Sequence, residues 1–382
     1  MKKNVLFFIE SLQCGGAEKS IISLLPLLDY SKMDVDLLLL KRGGIFEQYV
    51  PKDVHIIEFN QRVHPWLFKI YQTLFSLRLR WNRLIVKKEH GAETRWKVMQ
   101  HAYTPTAKHY DVAIAYQQGF PTYYIAGNVH AKKKIAWANV DLTKAGYNAS
   151  FNSTYYYSYD TIVAVSDNLK DMLADDGFVC TEKIVVIKDI LNVALIREMA
   201  ALPQHEIQTA DLNLVTVGRM VYQKGYDIAV NTADIIRQRG LKFHWYFVGD
   251  GAMRSMIDGL IQEKHLEDNV ILLGEKANPY PYMAAADIYV QTSRFEGFGI
   301  TLAEARILGK PVISTNFPVV HDQIIDGKNG LIAEMNAESI AQQIMRIVNN
   351  PELRDSIIHN LQQEHNTTAE TESEKVNRLI LD

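Results

Sequence analysis

Cysteine is nearly absent: Cys14 and Cys180 are the only two among 382 residues. They share no metal-ligand spacing, which argues against a structural disulfide or zinc site and for a reducing compartment. No stretch approaches the roughly 20 apolar residues that cross a bilayer. The start, Met1-Lys-Lys-Asn-Val-Leu-Phe-Phe-Ile9, mimics a signal peptide. Its apolar run stops at Glu10 without a cleavage site, so a first β-strand is expected. No internal repeat or low-complexity tract is present. The dinucleotide fingerprint is also missing. Gly249-Asp-Gly251 has Arg254 where a third glycine belongs, and Ser11 to Ala17 lacks the spacing, which disfavours a nicotinamide-dependent oxidoreductase. No Asp-x-Asp metal motif stands at a strand end; Asp34-Val-Asp36 precedes a strand and reads as solvated.

Net charge is small overall and unevenly placed. The net charge of −3 hides ten Lys or Arg against two Glu between Arg62 and Lys108. Trp66, Phe68, Tyr71, Phe75, Trp81 and Trp96 interleave with them. Cations mixed with aromatics suit an anionic membrane surface; a helix pair with a solvated basic face fits equally. The acidic remainder disfavours nucleic acid.

What is present is alternation. Short apolar runs at 5–9, 35–40, 55–58, 112–115, 135–138, 161–165 and 184–187 read as strands of a parallel sheet covered on both faces. After an irregular stretch the pattern restarts at 212–217, 243–248, 270–273, 288–290 and 312–314, with a short strand at 330–333. Asp167 is the expected N-cap of a helix running to Ala174. Helices are expected over 337–348 and 351–363, and a last one over 372–381. Two doubly wound domains follow, with ligands expected at the carboxyl ends of their strands.

The most telling run is Ser293-Arg-Phe-Glu-Gly-Phe-Gly-Ile-Thr-Leu-Ala-Glu-Ala305. A strand precedes it, Gly297 and Gly299 break the chain, and a helix follows that Gly309 closes. A glycine turn opening a helix offers free N–H groups to a phosphate. Glu296 and Glu304, with seven residues between them, flank that turn, so one can serve a ribose and the other a sugar.

This run, with Val217-Gly-Arg-Met-Val-Tyr-Gln-Lys-Gly225 and Phe247-Val-Gly-Asp-Gly251, resembles the donor site of retaining GT-B glycosyltransferases of family four, the glycosyl transferases of group one. The resemblance is strong from Leu212 to Leu331 and looser before. It implies a GT-B fold: two Rossmann-like domains facing a central cleft. Residues 1–195 would bind the acceptor and carry the basic insertion 62–108. Residues 196–364 would bind the donor, and 365–382 would return to the first domain. Arg219, Lys224 and Glu296 would be catalytic. Gly15, Gly16, Gly297, Phe298, Gly299 and Glu304 would bind the donor. No metal or cofactor is implied, because Arg219 and Lys224 would neutralise the leaving diphosphate.

One departure stands out. The family's Trp-x-His-x-Asp reads Trp137-Ala-Asn139-Val-Asp141 here. Asn139 and Asp141 become the candidate sugar or acceptor contacts, and asparagine cannot titrate. The expected activity is transfer of a hexose or N-acetylhexosamine from a nucleotide diphosphate sugar, with uridine diphosphate favoured. The acceptor is a saccharide, lipid-linked, in cell-surface polysaccharide or lipopolysaccharide assembly. The expected place is the cytoplasm, with 62–108 as the candidate for holding the protein peripherally on the inner membrane face. No nucleic acid and no obligate protein partner are indicated. A non-catalytic nucleotide-sugar-binding protein and an epimerase of the same fold remain as alternatives.

Overall fold

The computed structural model describes residues 2–13, 15–59, 62–82, 84, 89–177, 179–207, 212–364 and 368–382. Cys14 and the cations Arg83, Lys87 and Lys88 lie outside them. The chain divides into two compact units, Met1–Ile190 with Thr367–Asp382, and Leu191–Asn366.

The first unit holds a parallel sheet of β1 (Lys3–Ile9), β2 (Met33–Leu39), β3 (Val54–Glu58), β4 (Tyr110–Ala115), β5 (Ala131–Ala138), β6 (Thr161–Ala164) and β7 (Ile184–Val186). Its order is β3-β2-β1-β4-β5-β6-β7. The central strands are apolar throughout because helices cover both faces; Val5 through Ile9 have no exposure. Around the sheet lie α1 (Gly16–Leu24), α2 (Pro65–Trp81), α3 (Gly91–Met99), α4 (Phe120–Asn128), α5 (Ala149–Tyr156) and α6 (Asp167–Asp175). Helices α2 and α3 form the insertion between β3 and β4 and pack on each other.

The second unit opens with α7 (Val193–Ala200). Its parallel sheet comprises β8 (Leu212–Val217), β9 (Phe243–Val248), β10 (Val270–Gly274), β11 (Ile288–Gln291), β12 (Val312–Thr315) and β13 (Leu331–Ala333). The order is β10-β9-β8-β11-β12-β13. Its helices are α8 (Tyr226–Gln238), α9 (Arg254–Glu263), α10 (Tyr280–Ala285), α11 (Ile300–Ile307), α12 (Ala337–Val348) and α13 (Pro351–Gln363). The core gathers Trp245, Phe247, Val290 and Ile313 from the strands with Ala229, Val230, Ile340 and Ile344 from the helices. In each sheet the strand order reverses direction once, between β1 and β4 and between β8 and β11. Such reversal points open a crevice outside the strands' carboxyl ends.

Helix α14 (Thr368–Leu381) belongs to the first unit. Lys3 Nζ donates to the carbonyl of Ile380 at 3.1 Å, and Lys133 Nζ to that of Leu379 at 2.7 Å. Asn377 Oδ1 accepts from the Asp29 amide at 2.9 Å.

Two local expectations fail. The N-cap of α6 is Ser166, not Asp167: its hydroxyl accepts from the Leu169 amide at 3.1 Å, and Asp167 is the first helical residue. Both residue types cap, but the one at the strand-to-helix bend keeps the extended backbone a cap needs. Asp36 is not solvated. It is buried in β2, where Lys108 Nζ and Tyr110 Oη each donate to it at 2.8 Å. No helix among the described residues is long and apolar enough to cross a membrane.

Candidate functional site

Three loops meet at the carboxyl ends of β8, β9 and β11, and glycines let them touch. Gly225, at φ +63°, caps α8; a Cβ there would lie 2.1 Å from the Thr292 carbonyl. At Gly251 it would lie 2.5 Å from the Met220 carbonyl. Only residues without a side chain allow backbones this close. Hydrogen bonds lock the contact: Met220 N to Asp250 O at 2.8 Å, Arg294 N to Gln223 O at 2.7 Å, Thr292 Oγ1 to Lys224 O at 2.9 Å.

Inside this frame Lys224 and Glu296 come together across 72 residues, Nζ to Oε1 at 2.6 Å. The same oxygen accepts from Gln291 Nε2 at 2.8 Å and Ser293 Oγ at 2.6 Å. Gln223 Nε2 reaches Oε2 at 3.4 Å. Glu296 is 7 % exposed and Lys224 17 %. A carboxylate this buried needs such donors, and together they fix its direction. Arg219 sits two residues past β8 and is exposed.

Gly299, at φ +87°, is the N-cap of α11, so the amino end of that helix follows directly on Gly297 and Phe298. The Gln323 amide donates to the Phe298 carbonyl and pins the turn. Glu304 lies one turn into α11 and is fully buried; Tyr280 Oη of α10 donates to its Oε1 at 2.7 Å. Glu296 and Glu304 thus differ in kind: one borders solvent beside a lysine, the other is enclosed and met by a phenol.

Sequence reasoning missed the holders of Glu296. Gln291, Thr292 and Ser293 are buried polar residues closing an apolar strand, and that polar end was the available signal. It also missed Arg294, which forms a bidentate pair with Asp227 at 2.9 and 2.6 Å and stacks 4.2 Å over the Tyr222 ring. Burial alone would raise the Asp227 pKa, but the Arg294 hydrogen bonds and charge bring it below the usual aspartate value. The pair ties the β8 loop to the β11 loop.

In the first unit, Gly15 caps α1 and Gly16 begins it. A Cβ on Gly15 would fall 2.1 Å from Glu18 Oε2, so the Glu18 carboxylate folds back over the amino end of α1. That is a favourable place for any anion. Asn139 follows β5; its Nδ2 donates to the Tyr116 carbonyl at 3.1 Å and to Gln118 Oε1 at 3.3 Å. Its Oδ1 is buried with no hydrogen-bond partner. Asp141 is buried in a turn, accepting from the Lys144 amide at 2.9 Å and pairing with Lys144 Nζ at 3.2 Å. Nearby, Trp137 stacks on Tyr116 at 4.7 Å, and Tyr116 Oη meets Ser20 Oγ at 2.9 Å. Burial pushes the Asp189 carboxyl up to about 7, with a Ser20 hydrogen bond opposing.

Paired six- and seven-stranded parallel sheets with these loops define a GT-B protein. Residues 200–364, nearly all of the second unit, match the family model of the glycosyl transferases group 1. An uncharacterised glycosyltransferase of Methanocaldococcus jannaschii is 29 % identical over 220 residues, 55 % of this chain and 57 % of the relative. The chain thus spans little more than half of that relative's length. It is also similar to an N-acetylgalactosamine-N,N'-diacetylbacillosaminyl-diphospho-undecaprenol 4-alpha-N-acetylgalactosaminyltransferase of Campylobacter jejuni. There, identity is 25 % over 354 residues, covering 91 % of this chain and 90 % of the relative. Among solved structures, HepE of Anabaena in complex with UDP and glucose superposes with a TM-score of 0.70 at 18 % identity, covering 99 % of this chain and 98 % of its own.

Proposed function

We propose that the chain is a retaining, metal-independent glycosyltransferase that moves a hexose or N-acetylhexosamine from a UDP-sugar to a lipid-linked saccharide. The observation that carries this reading is the Lys224–Glu296 pair, held by Gln291 and Ser293 beside the open amino end of α11. A diphosphate placed there would draw on Lys224, Arg219 and the Phe298 and Gly299 amides. Glu296 would then turn its hydrogen-bonding capacity toward the sugar, and Glu304 toward the ribose. The bond between the anomeric carbon and the diphosphate breaks, and its electrons leave with UDP. The acceptor hydroxyl bonds to the face just vacated and passes its proton to a diphosphate oxygen. Cations aimed at the growing charge lower that barrier without a metal.

UDP is favoured because the structural neighbour HepE binds it, and a lipid-linked acceptor because the Campylobacter relative's name contains a diphospho-undecaprenol. The proposed setting is assembly of cell-surface polysaccharide or lipopolysaccharide at the inner face of an anionic membrane, which a lipid-linked acceptor and the basic segment 62–108 both support. The first test is a thermal-shift panel of nucleotide sugars. A bound donor at a hundred times its dissociation constant should stabilise the fold by about 2.7 kcal/mol. Stabilisation by UDP-sugars and not by other nucleotide sugars is the expected result; none by any of them would overturn the reading. Release of UDP without acceptor separates an enzyme from a binding protein, which Asn139 in place of histidine would otherwise permit.

A further inference from the structure

Helix α2 is apolar on two opposite sides, and folding accounts for only one. Phe68, Tyr71, Phe75 and Leu79 are half-buried on the side next to α3, where Phe68 meets the Tyr103 ring at 5.8 Å. The other side carries Trp66, Ile70, Leu74, Leu77 and Trp81, and Leu84 continues it beyond the helix end. These six are 45 to 68 % exposed. Their spacing of four, four, three, four and three places them in one stripe. From Trp66 to Trp81 the stripe runs about 22 Å at 1.5 Å per residue. α2 has no buried residue, so a seventeen-residue helix presents its most hydrophobic side to solvent. Contiguous exposure on this scale marks an interaction site.

Charge decides among occupants. No Asp or Glu stands between Arg62 and Lys88, against seven Lys or Arg. At 100° per residue, Lys69 and Arg80 border the stripe on one side and Arg78 on the other; all three are exposed. Arg78 is steadied by Glu89 at 3.2 Å. The spacing would also suit a coiled coil with a second copy. Arg78 and Arg80 would then lie along the seam in both copies with no acid beside them on α2, which repels. An anionic lipid surface accepts both features. Acyl chains take the stripe, headgroups take the cations, and tryptophans at the two ends sit at the boundary between them.

We propose that α2 is an interfacial helix whose outward stripe inserts among the acyl chains of an anionic bilayer. This deepens the membrane part of the function proposed above: apolar insertion holds the protein, and charge only assists. The reading of a lipid-linked acceptor supplies its purpose.

The intact chain tests it. Trp96, Trp137 and Trp245 are buried, whereas Trp66 and Trp81 are exposed, so emission reports the stripe. With vesicles of phosphatidylglycerol and acyl-brominated phosphatidylcholine, emission should be quenched. The Trp66→Phe, Trp81→Phe variant should lose that quenching while still sedimenting with vesicles. The Leu74→Ser, Leu77→Ser variant should partition on the order of tenfold less at low and at high salt. Arg80→Gln should weaken binding at low salt only, where exposed charges are poorly screened. Absence of acyl-chain quenching, or complete release of wild type by high salt, overturns the proposal. So does self-association of wild type that Leu77→Ser abolishes, without vesicle binding. Both serine variants keep the UDP-sugar thermal shift if the donor site is sound. Loss of that shift in wild type would instead overturn the function proposed above and leave vesicle binding to be judged alone.

Discussion

The carboxyl ends of the two sheets are furnished differently. In the second unit the acids are fully engaged: Glu296 holds four donors and Glu304 has a tyrosine. In the first unit, Asn139 Oδ1 and Asp189 Oδ1 are buried without hydrogen-bond partners, and Glu18 covers the amino end of α1. Satisfied polar groups rigidify a site, while unsatisfied ones store cost that a ligand or protonation can relieve. A preorganised cluster suits one constant chemical group, such as a diphosphate. A less satisfied floor suits a partner that differs between relatives. The difference teaches that the two sheet ends of one chain need not be built to the same tolerance, even where the strand orders run alike.

The sharpest way to break this contrast is at Lys224. Lys224→Ala should lower turnover on the order of a hundredfold at saturating donor if, as proposed, it faces the charge growing on the leaving diphosphate. Arg219→Ala should follow in the same direction. Steady-state kinetics with saturating donor decides it; a change confined to the donor Michaelis constant would reduce both to ground-state binding. Next comes Glu304→Ala, expected to weaken UDP affinity by about 1.5–3 kcal/mol in calorimetry. Unchanged affinity for UDP would remove Glu304 from the ribose.

In the first unit the contrast can be read from stability against pH. Burial lifts the Asp189 carboxyl to about 7 in the folded chain, against an ordinary aspartate value of 3.8. The folded state therefore binds more protons between those values, and stability falls as pH rises through that window. Asp189→Asn should flatten the slope and raise stability near pH 8 by on the order of 2 kcal/mol. Denaturant melts at pH 5 and 8 measure this; an unaltered slope would mean the carboxyl is hydrated. His90 has the opposite sign. It is held down to about 4 by burial while stacked 3.8 Å from Tyr147. Its contribution is complete above pH 6.5 and is lost as pH falls toward 4. The smallest effect is expected at Asn139→His: an unchanged fold with a several-fold change in donor preference or rate. A UDP-sugar panel identical to wild type would place Asn139 outside the donor's reach.

Much of the architecture was legible because parallel strands buried on both faces must be apolar runs, and runs such as Leu212 to Val217 are visible without alignment. Helices 337–348 and 351–363 matched to the residue because Asn336 and Asn350 cap them. Asp36 was misread because its partners, Lys108 and Tyr110, lie more than seventy residues away. The same distance hid the bonds to Glu296, although the glutamates themselves stood out beside their glycines. Glu18 was overlooked because a carboxylate in a first turn is ordinary helix chemistry. In α2 the aromatic and basic residues were visible, but periodicity does not say which side another helix will cover.

Helix α14 has a consequence for how the chain is made. The first unit takes its last helix from residues synthesised after the whole second unit, and Lys3, Lys133 and Lys188 wait for acceptors on it. The second unit can close as soon as α13 has left the ribosome. The first cannot, although its sheet is translated before any strand of the other. Folding order is therefore expected to run against synthesis order. A nascent chain halted before Thr368 would hold a finished second unit and an unfinished first, and losing fourteen residues at one end would be felt first at the other.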